Sequence, residues 1–413
     1  MHSIRKILLA TAFACTAPAF AATASAEELK AEVLHWWTSG GESAAVKVFA
    51  DGFTDAGGEW IDTAIAGGQN ARTAGINRIV GGNPPTAMQF NTGKQFDELV
   101  ANGFLRSVED VAAANNWRDA LPPAIVKATN RDGQFYAVPV NIHGQNWLWY
   151  NTDVFSKAGL QPPKTFQDMI AAGPKLRESG FIPLAHGGQN WQDHLLFDAI
   201  VVAEAGQEIF AKVYGEVDTD AAKSPEFLKA VETFAALRGM TDEGSPGRNW
   251  NDATALVITG KAAMQLMGDW AKGEFIAAGL TPDKEYGCTV MPGGYVMGGD
   301  VFVFPKIDDA AQKTAQEKLA GLMLSPETQI AFNLKKGSVP VRLDIDVSAM
   351  DACAQTGVQT LKDPNNQVAS INYIASPDLV GATRDVITQF WSTPSMTPEE
   401  FVEKFVSAMD SAS

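Results

Sequence analysis

The chain has 413 residues, with 48 acidic against 32 basic side chains and a formal net charge of −16. That balance argues against nucleic acid or an anionic membrane surface as a partner. The length suggests two domains at roughly 100–200 residues each.

Arg5 and Lys6 form a charged start, Ile7 to Phe20 is mostly apolar, and Ala24-Ser25-Ala26 offers a small-residue cleavage site. Residues 1–26 therefore read as a signal peptide cleaved near Ala26. Removing them leaves 30 bases against 48 acids. No later stretch approaches the ~18 consecutive apolar residues of a membrane helix. The expectation is an exported protein.

The short apolar run Ala31 to Leu34 leads into His35-Trp36-Trp37-Thr38-Ser39-Gly40-Gly41-Glu42, and then Val46, Phe49, Ala50 and Phe53 recur at helical spacing. This predicts the first strand-to-helix turn of an α/β domain, where ligands sit beyond the carboxyl ends of strands. Two tryptophans, a flexible Gly-Gly and a carboxylate suit sugar recognition. An indole covers the C–H face of a pyranose, and a carboxylate accepts hydrogen bonds from its hydroxyls. Read equally well, Trp36 and Trp37 are core residues and Glu42 favours the helix N-terminus. Adjacent strand residues point to opposite faces, so at most one tryptophan reaches a ligand from a regular strand.

Beyond this helix the pattern predicts a strand over Glu59 to Ala66, a helix over Ala71 to Val80, and a strand over Thr86 to Phe90. The alternation implies a mostly parallel sheet with helices on both faces. Around Phe135 to Val140 an extended segment with an embedded Pro reads as a crossing into a second, more helical lobe. That lobe contains the N-cap candidate Thr165 and the apolar run Leu195 to Ala203. The Gly-punctuated stretch Gly287 to Pro305 reads as a return. Two lobes joined by extended crossings make a cleft and a hinge together. The expected division is 27–138 plus 304–338 for the N-terminal lobe and 139–303 plus 339–413 for the C-terminal lobe.

Of three cysteines, Cys15 leaves with the signal. Cys288 and Cys353 remain, either bridged in an oxidising compartment or as two buried thiols. His143, His186 and His194 include no tight two-His motif with a third ligand, so neither a metal nor another cofactor is implied. As an alternative class, Glu42 and Asp300 are candidates for the carboxyl pair of an exported glycoside hydrolase, although no nucleophile motif or phosphate loop accompanies them. A sugar-sensing or adhesion protein would also bind sugar.

Several stretches resemble the glucose-binding branch of the periplasmic solute-binding proteins of ATP-driven sugar importers. They are Trp37-Thr38-Ser39-Gly40-Gly41-Glu42, Gly82-Asn83-Pro84-Pro85, Ala185-His186-Gly187-Gly188-Gln189-Asn190-Trp191-Gln192-Asp193, Gly268-Asp269-Trp270-Ala271-Lys272-Gly273-Glu274-Phe275 and Lys336-Gly337-Ser338-Val339-Pro340-Val341-Arg342. The resemblance implies a two-lobed α/β fold like that of maltose-binding protein, with the ligand at the lobe interface. It implies a bridge between Cys288 and Cys353, and an inner-membrane ABC permease as partner. It places Trp36, Trp37, Glu42 and Gln89 at the cleft from the first lobe, and Trp250 and Trp270 from the second. Asp300 matches an acid in the return crossing and Lys336 a base that hydrogen-bonds hydroxyls. Two positions depart from the pattern: Asn91 and Asn372 stand where the glucose binders carry cationic donors. Amides still donate and accept, so a neutral sugar is expected, with a monosaccharide such as glucose or a related hexose favoured. The two departures leave another hexose, a pentose or a small oligosaccharide open. The expected binder is a monomeric periplasmic protein that is not an enzyme.

Overall fold

The computed structural model describes residues 29–412. The signal-peptide reading and Cys15 lie outside the described residues.

The first lobe is built on a five-stranded sheet in the order Gly58–Ala64, Leu29–His35, Ala87–Asn91, Asp300–Val303, Ala137–Pro139. The first three strands are parallel, and Leu29 pairs with Gly58 through to His35 with Ala64. Parallel pairing requires crossovers, and helices Gly40–Asp55 and Gly68–Val80 supply them. Ser39 starts the first helix because its hydroxyl accepts the Glu42 N–H at 3.4 Å while Glu42 reaches back to the Ser39 N–H. This reciprocal cap satisfies donors that the helix start would leave unpaired. The expected flexible Gly-Gly is therefore the opening of that helix. Its glycines serve close approach: a Cβ on Gly41 would lie 2.5 Å from the Gly273 carbonyl carbon.

A four-stranded sheet organises the second lobe, in the order Tyr286–Val290, Trp147–Asn151, Ala262–Met267, Ile182–Leu184. The apolar run Leu195 to Ala203 lies on helix Asn190–Glu204, where Leu195 to Val202 are all buried. Phe197 there meets Phe227, Phe234, Phe401 and Phe405 at 5.3–6.1 Å between ring centroids.

A small three-stranded sheet of His143–Gly144, Tyr295–Gly298 and Gln367–Ala369 sits beside the crossings. Ile142 and Val339 exchange backbone hydrogen bonds of 2.8 and 3.1 Å, so the first and third crossings are themselves paired. One expected boundary moves. Asp300–Val303 pairs with Asn91–Met88 and with Pro139–Ala137 in the first sheet, so the return falls at Gly298-Gly299 and not after residue 303. Gly299 permits it, since a Cβ there would meet the Asn141 carbonyl oxygen at 2.7 Å.

Cys288, on strand Tyr286–Val290, is disulfide-bonded to Cys353 on helix Ala352–Leu361, with their Cα atoms 6.1 Å apart. One apolar cluster runs from Ala31, Val33 and Phe302 of the first lobe to Trp149, Met267 and Phe275 of the second. The lobes are in contact along this seam.

Candidate functional site

The turn after strand Leu29–His35 separates its two tryptophans, as strand alternation requires. Trp37 is buried against Phe302 and Phe332, at 5.6 and 5.3 Å, and belongs to the core. Trp36 is partly exposed, with the Arg72 guanidinium 5.5 Å from its ring centroid.

Glu42 and Lys336 meet beside Trp37. The Lys336 ammonium lies 3.5 Å from Glu42 Oε1, 5.6 Å from the Trp37 centroid and 6.0 Å from that of Trp270. Both charges are nearly buried, a placement that costs desolvation unless partners compensate. Lys336 ends helix Pro326–Lys336, where a cation suits the macrodipole. Trp270 follows the end of strand Ala262–Met267. Its partly exposed ring lies edge-on to His143 at 5.0 Å and 6.1 Å from Trp191.

Asp300 lies one step deeper, fully hydrogen-bonded. Gln89 Nε2 donates to Oδ1 at 3.0 Å, and Asn141 Nδ2 and His143 Nε2 both reach Oδ2 at 3.0 Å. His143 Nδ1 pairs on its other side with Asp269, which also accepts from the Gly144 N–H at 2.9 Å. One imidazole thus bridges a carboxylate of each lobe. Burial opposes its charged form, but Asp269 and Asp300 outweigh burial and raise its pKa. Burial alone would raise Asp300; His143, Lys336 and Asn141 hold it below the usual carboxylate range. In a hydrolytic pair of Glu42 and Asp300, one carboxyl would have to stay protonated, and Asp300, shifted the other way, does not suit that role.

Asn91 and Asn372 are brought together by Gln95. Its Oε1 accepts the Asn91 N–H at 3.1 Å, and its Nε2 donates to Asn372 Oδ1 at 3.2 Å. The Lys94 N–H donates to the Asn372 carbonyl at 2.9 Å, tying the lobes at the same place. Gly93 allows the approach, since its Cβ would lie 2.1 Å from that oxygen.

The sequence candidates thus form two groups: Glu42, Trp37, Lys336, Trp270, Asp300 and Gln89 in one, Trp36, Asn91 and Asn372 around Arg72 and Gln95 in the other. Gln89 is fully buried; besides Asp300 it binds the Trp36 N–H through Oε1 at 3.0 Å. Trp250 opens helix Trp250–Ile258, and its described hydrogen bonds are carbonyl contacts to Gln265 and Thr254. His143, Asn141, Asp269, Arg72 and Gln95 were not among the candidates. Arg72 carried one signal: a cation near the start of a helix, where the macrodipole disfavours it. The other two histidines of interest pair locally, His186 with Asp193 at 2.9 Å and His194 with Tyr214 at 3.1 Å. Among the described residues no group of three or more His, Cys, Asp or Glu could hold a metal ion.

Residues 37–330 match the family described as bacterial extracellular solute-binding protein. The chain belongs to that family. A probable sugar-binding periplasmic protein of Mesorhizobium japonicum is 39% identical over 99% of this chain and 100% of its own length. One of the same description from Rhizobium meliloti is 36% identical, again over 99% and 100%. These relatives are solute-binding proteins and not enzymes. Among solved structures, the bacterial solute receptor AcbH, described as exclusively preferring β-D-galactopyranose, superposes with a TM-score of 0.78 at 20% identity, over 93% of this chain and 98% of that one. At that identity it establishes the fold alone. This solute-binding protein has the two-lobed α/β architecture, with both residue groups at the seam between lobes.

Proposed function

We propose that this protein is exported, captures a single small sugar between its lobes, and delivers it to an inner-membrane ABC permease. A hexose or related monosaccharide is the favoured ligand. The observation that carries the reading is the partly exposed Trp270, held beside the Lys336–Glu42 pair at the lobe seam. An aromatic face next to charged hydrogen-bonding groups matches the two surfaces of a pyranose, one of C–H groups and one of hydroxyls. The descriptions of the rhizobial relatives support the same solute class. Trp36, Glu42, Trp270 and Lys336 are assigned to ligand contact. Gln89, Asp300 and Trp37 support them from behind, Asn91 and Asn372 tune which sugar is accepted, and Trp250 flanks the second-lobe wall.

A thermal-shift panel of monosaccharides and disaccharides tests this. A true ligand at 100 times its dissociation constant adds about 2.7 kcal/mol of apparent stability. No shift with any sugar would end the proposal. Light scattering of the mature protein, with and without ligand, is expected to give one chain per particle.

A further inference from the structure

Between helix Gly68–Val80 of the first lobe and helix Pro377–Ser392 of the second lies a cavity of about 220 Å³. Its wall carries Arg72, Lys94 and Arg384 and no acidic residue, in a chain whose acids outnumber its bases by 48 to 32. Arg78, on the same helix as Arg72, shows how a guanidinium is ordinarily satisfied here: it grips both oxygens of Glu32, at 2.6 and 2.7 Å. Arg72 has no such partner among the described residues. Its contacts are the Trp36 ring and a long 3.5 Å approach to Asn91 Oδ1. Arg384 has a buried Nε with no hydrogen-bond partner. Lys94 Nζ donates to the Ile374 carbonyl at 2.7 Å, which spends one donor of three and neutralises nothing.

The two guanidinium groups also act on each other. Burial, and then the charge of Arg384, bring the Arg72 pKa down to about 10, so it stays protonated at neutral pH. Asp198 and Asp385 influence Arg384 from nearby without bonding it, and burial pushes Asp198 well above the usual carboxylate range. Two guanidinium forks without an acidic partner, facing one small cavity from opposite lobes, suit an anion, since planar guanidinium groups bind carboxylate and phosphate oxygens in pairs.

We propose that this cavity receives an anionic substituent of the ligand, so that the substrate is an acidic sugar, bearing a carboxylate or a phosphate group. The inference rests on the sugar-capture reading and replaces the neutral ligand expected from Asn91 and Asn372. The volume falls below the ~300–1,000 Å³ of sites that enclose a whole ligand, which suits a small charged substituent. Because Arg72 and Arg384 sit on different lobes, an anion between them favours the closed arrangement over an open one.

Calorimetry on the mature protein, at low and at physiological salt, decides it. The probes are glucuronate and galacturonate for the carboxylate arm, glucose 6-phosphate for the phosphate arm, and glucose, galactose and xylose as neutral sugars. At least one acid is expected to bind about tenfold or more tighter than its neutral counterpart, with an affinity that weakens as salt rises. The arm that binds identifies the anionic group. Arg72→Gln and Arg384→Gln should each remove that preference. Neutral sugars binding while every acid fails would overturn the inference and leave sugar capture standing. If no sugar of either kind binds, sugar capture itself fails and this inference with it. The ranking of probes by the unmodified protein suffices even where a variant does not fold.

Discussion

The Gly41 N–H at the start of the first helix donates to Glu274 Oε1 at 2.8 Å, across the seam between the lobes. Gly41 and Gly273 lie back to back there, close enough that a side chain on Gly41 would collide with the Gly273 carbonyl group at 2.5–2.8 Å. Gly40, one residue earlier, would meet nothing nearer than 3.7 Å. Gly41→Val is therefore expected to hold the lobes apart, enlarging the radius of gyration by scattering and weakening ligand binding, with far-UV dichroism unchanged. Gly40→Ala should behave as the parent. Equal behaviour of the two variants would remove this contact from the account of closure.

Trp36, Trp37 and Trp270 should separate by assay. Trp270→Ala and Trp36→Ala are expected to lose about 1–3 kcal/mol of ligand affinity, the scale of stacking on an aromatic face, with little change in melting. Trp37→Ala should instead cost about 3–5 kcal/mol of stability, because it empties a packed site between Phe302 and Phe332. Calorimetry alongside chemical denaturation checks both. A Trp37 variant that melts like the parent would contradict its core placement.

His143 makes stability depend on pH with a definite sign. Its pKa is raised in the folded chain by Asp269 and Asp300 against the effect of burial. Its contribution is complete below the unfolded value of ~6.5 and is lost as pH rises through the folded value. Asp300 is depressed, so its contribution is present above ~3.9 and is lost as pH falls through its folded value. The parent should lose stability relative to His143→Gln as pH is raised above ~6.5, and the acid limb of the variant should begin at higher pH, because Asp300 loses the imidazole that holds its pKa down. Parallel melting curves across the alkaline range would show that the imidazole carries no linked proton.

Alkylation of the unfolded, unreduced protein should leave Cys288 and Cys353 unlabelled. Reduction should then destabilise the fold by about 4 kcal/mol, the loop-closure value for cysteines 65 residues apart. A melting temperature indifferent to reductant would show that the bridge does not constrain the unfolded chain.

The alternation of strand and helix over residues 29–91 was legible because period and punctuation are local, and the observed strands and helices begin within a few residues of those expected. The strand Asp300–Val303 was assigned to the wrong lobe because its partners, Ala87–Asn91 and Ala137–Pro139, lie far away in sequence, and a short apolar run does not say which sheet it joins. Trp36 and Trp37 illustrate the same limit at the site. Alternation showed that only one could face out; which one depended on Phe302 and Phe332 arriving from elsewhere. Glu42 was read as either a ligand or a helix-start residue. It caps the helix, as the helix-start reading expected, and it also faces Lys336. Arg72 and Arg384 share a cavity only once the lobes meet, and no spacing rule connects residues on separate helices so far apart.

The disulfide closes a covalent ring that contains the return crossing and helices Ala310–Met323 and Pro326–Lys336 of the other lobe. Under mechanical load applied at the chain ends, the 65 residues of that separation stay shielded from tension. A contour on the order of 200 Å is thereby withheld from any extension trace until the bridge is cut. The last helix of the first lobe, with Lys336 at its tip, thus lies inside a loop that force cannot unravel. The strands ahead of Cys288 and the helices Pro377–Ser392 and Pro398–Ala412 beyond Cys353 have no such protection.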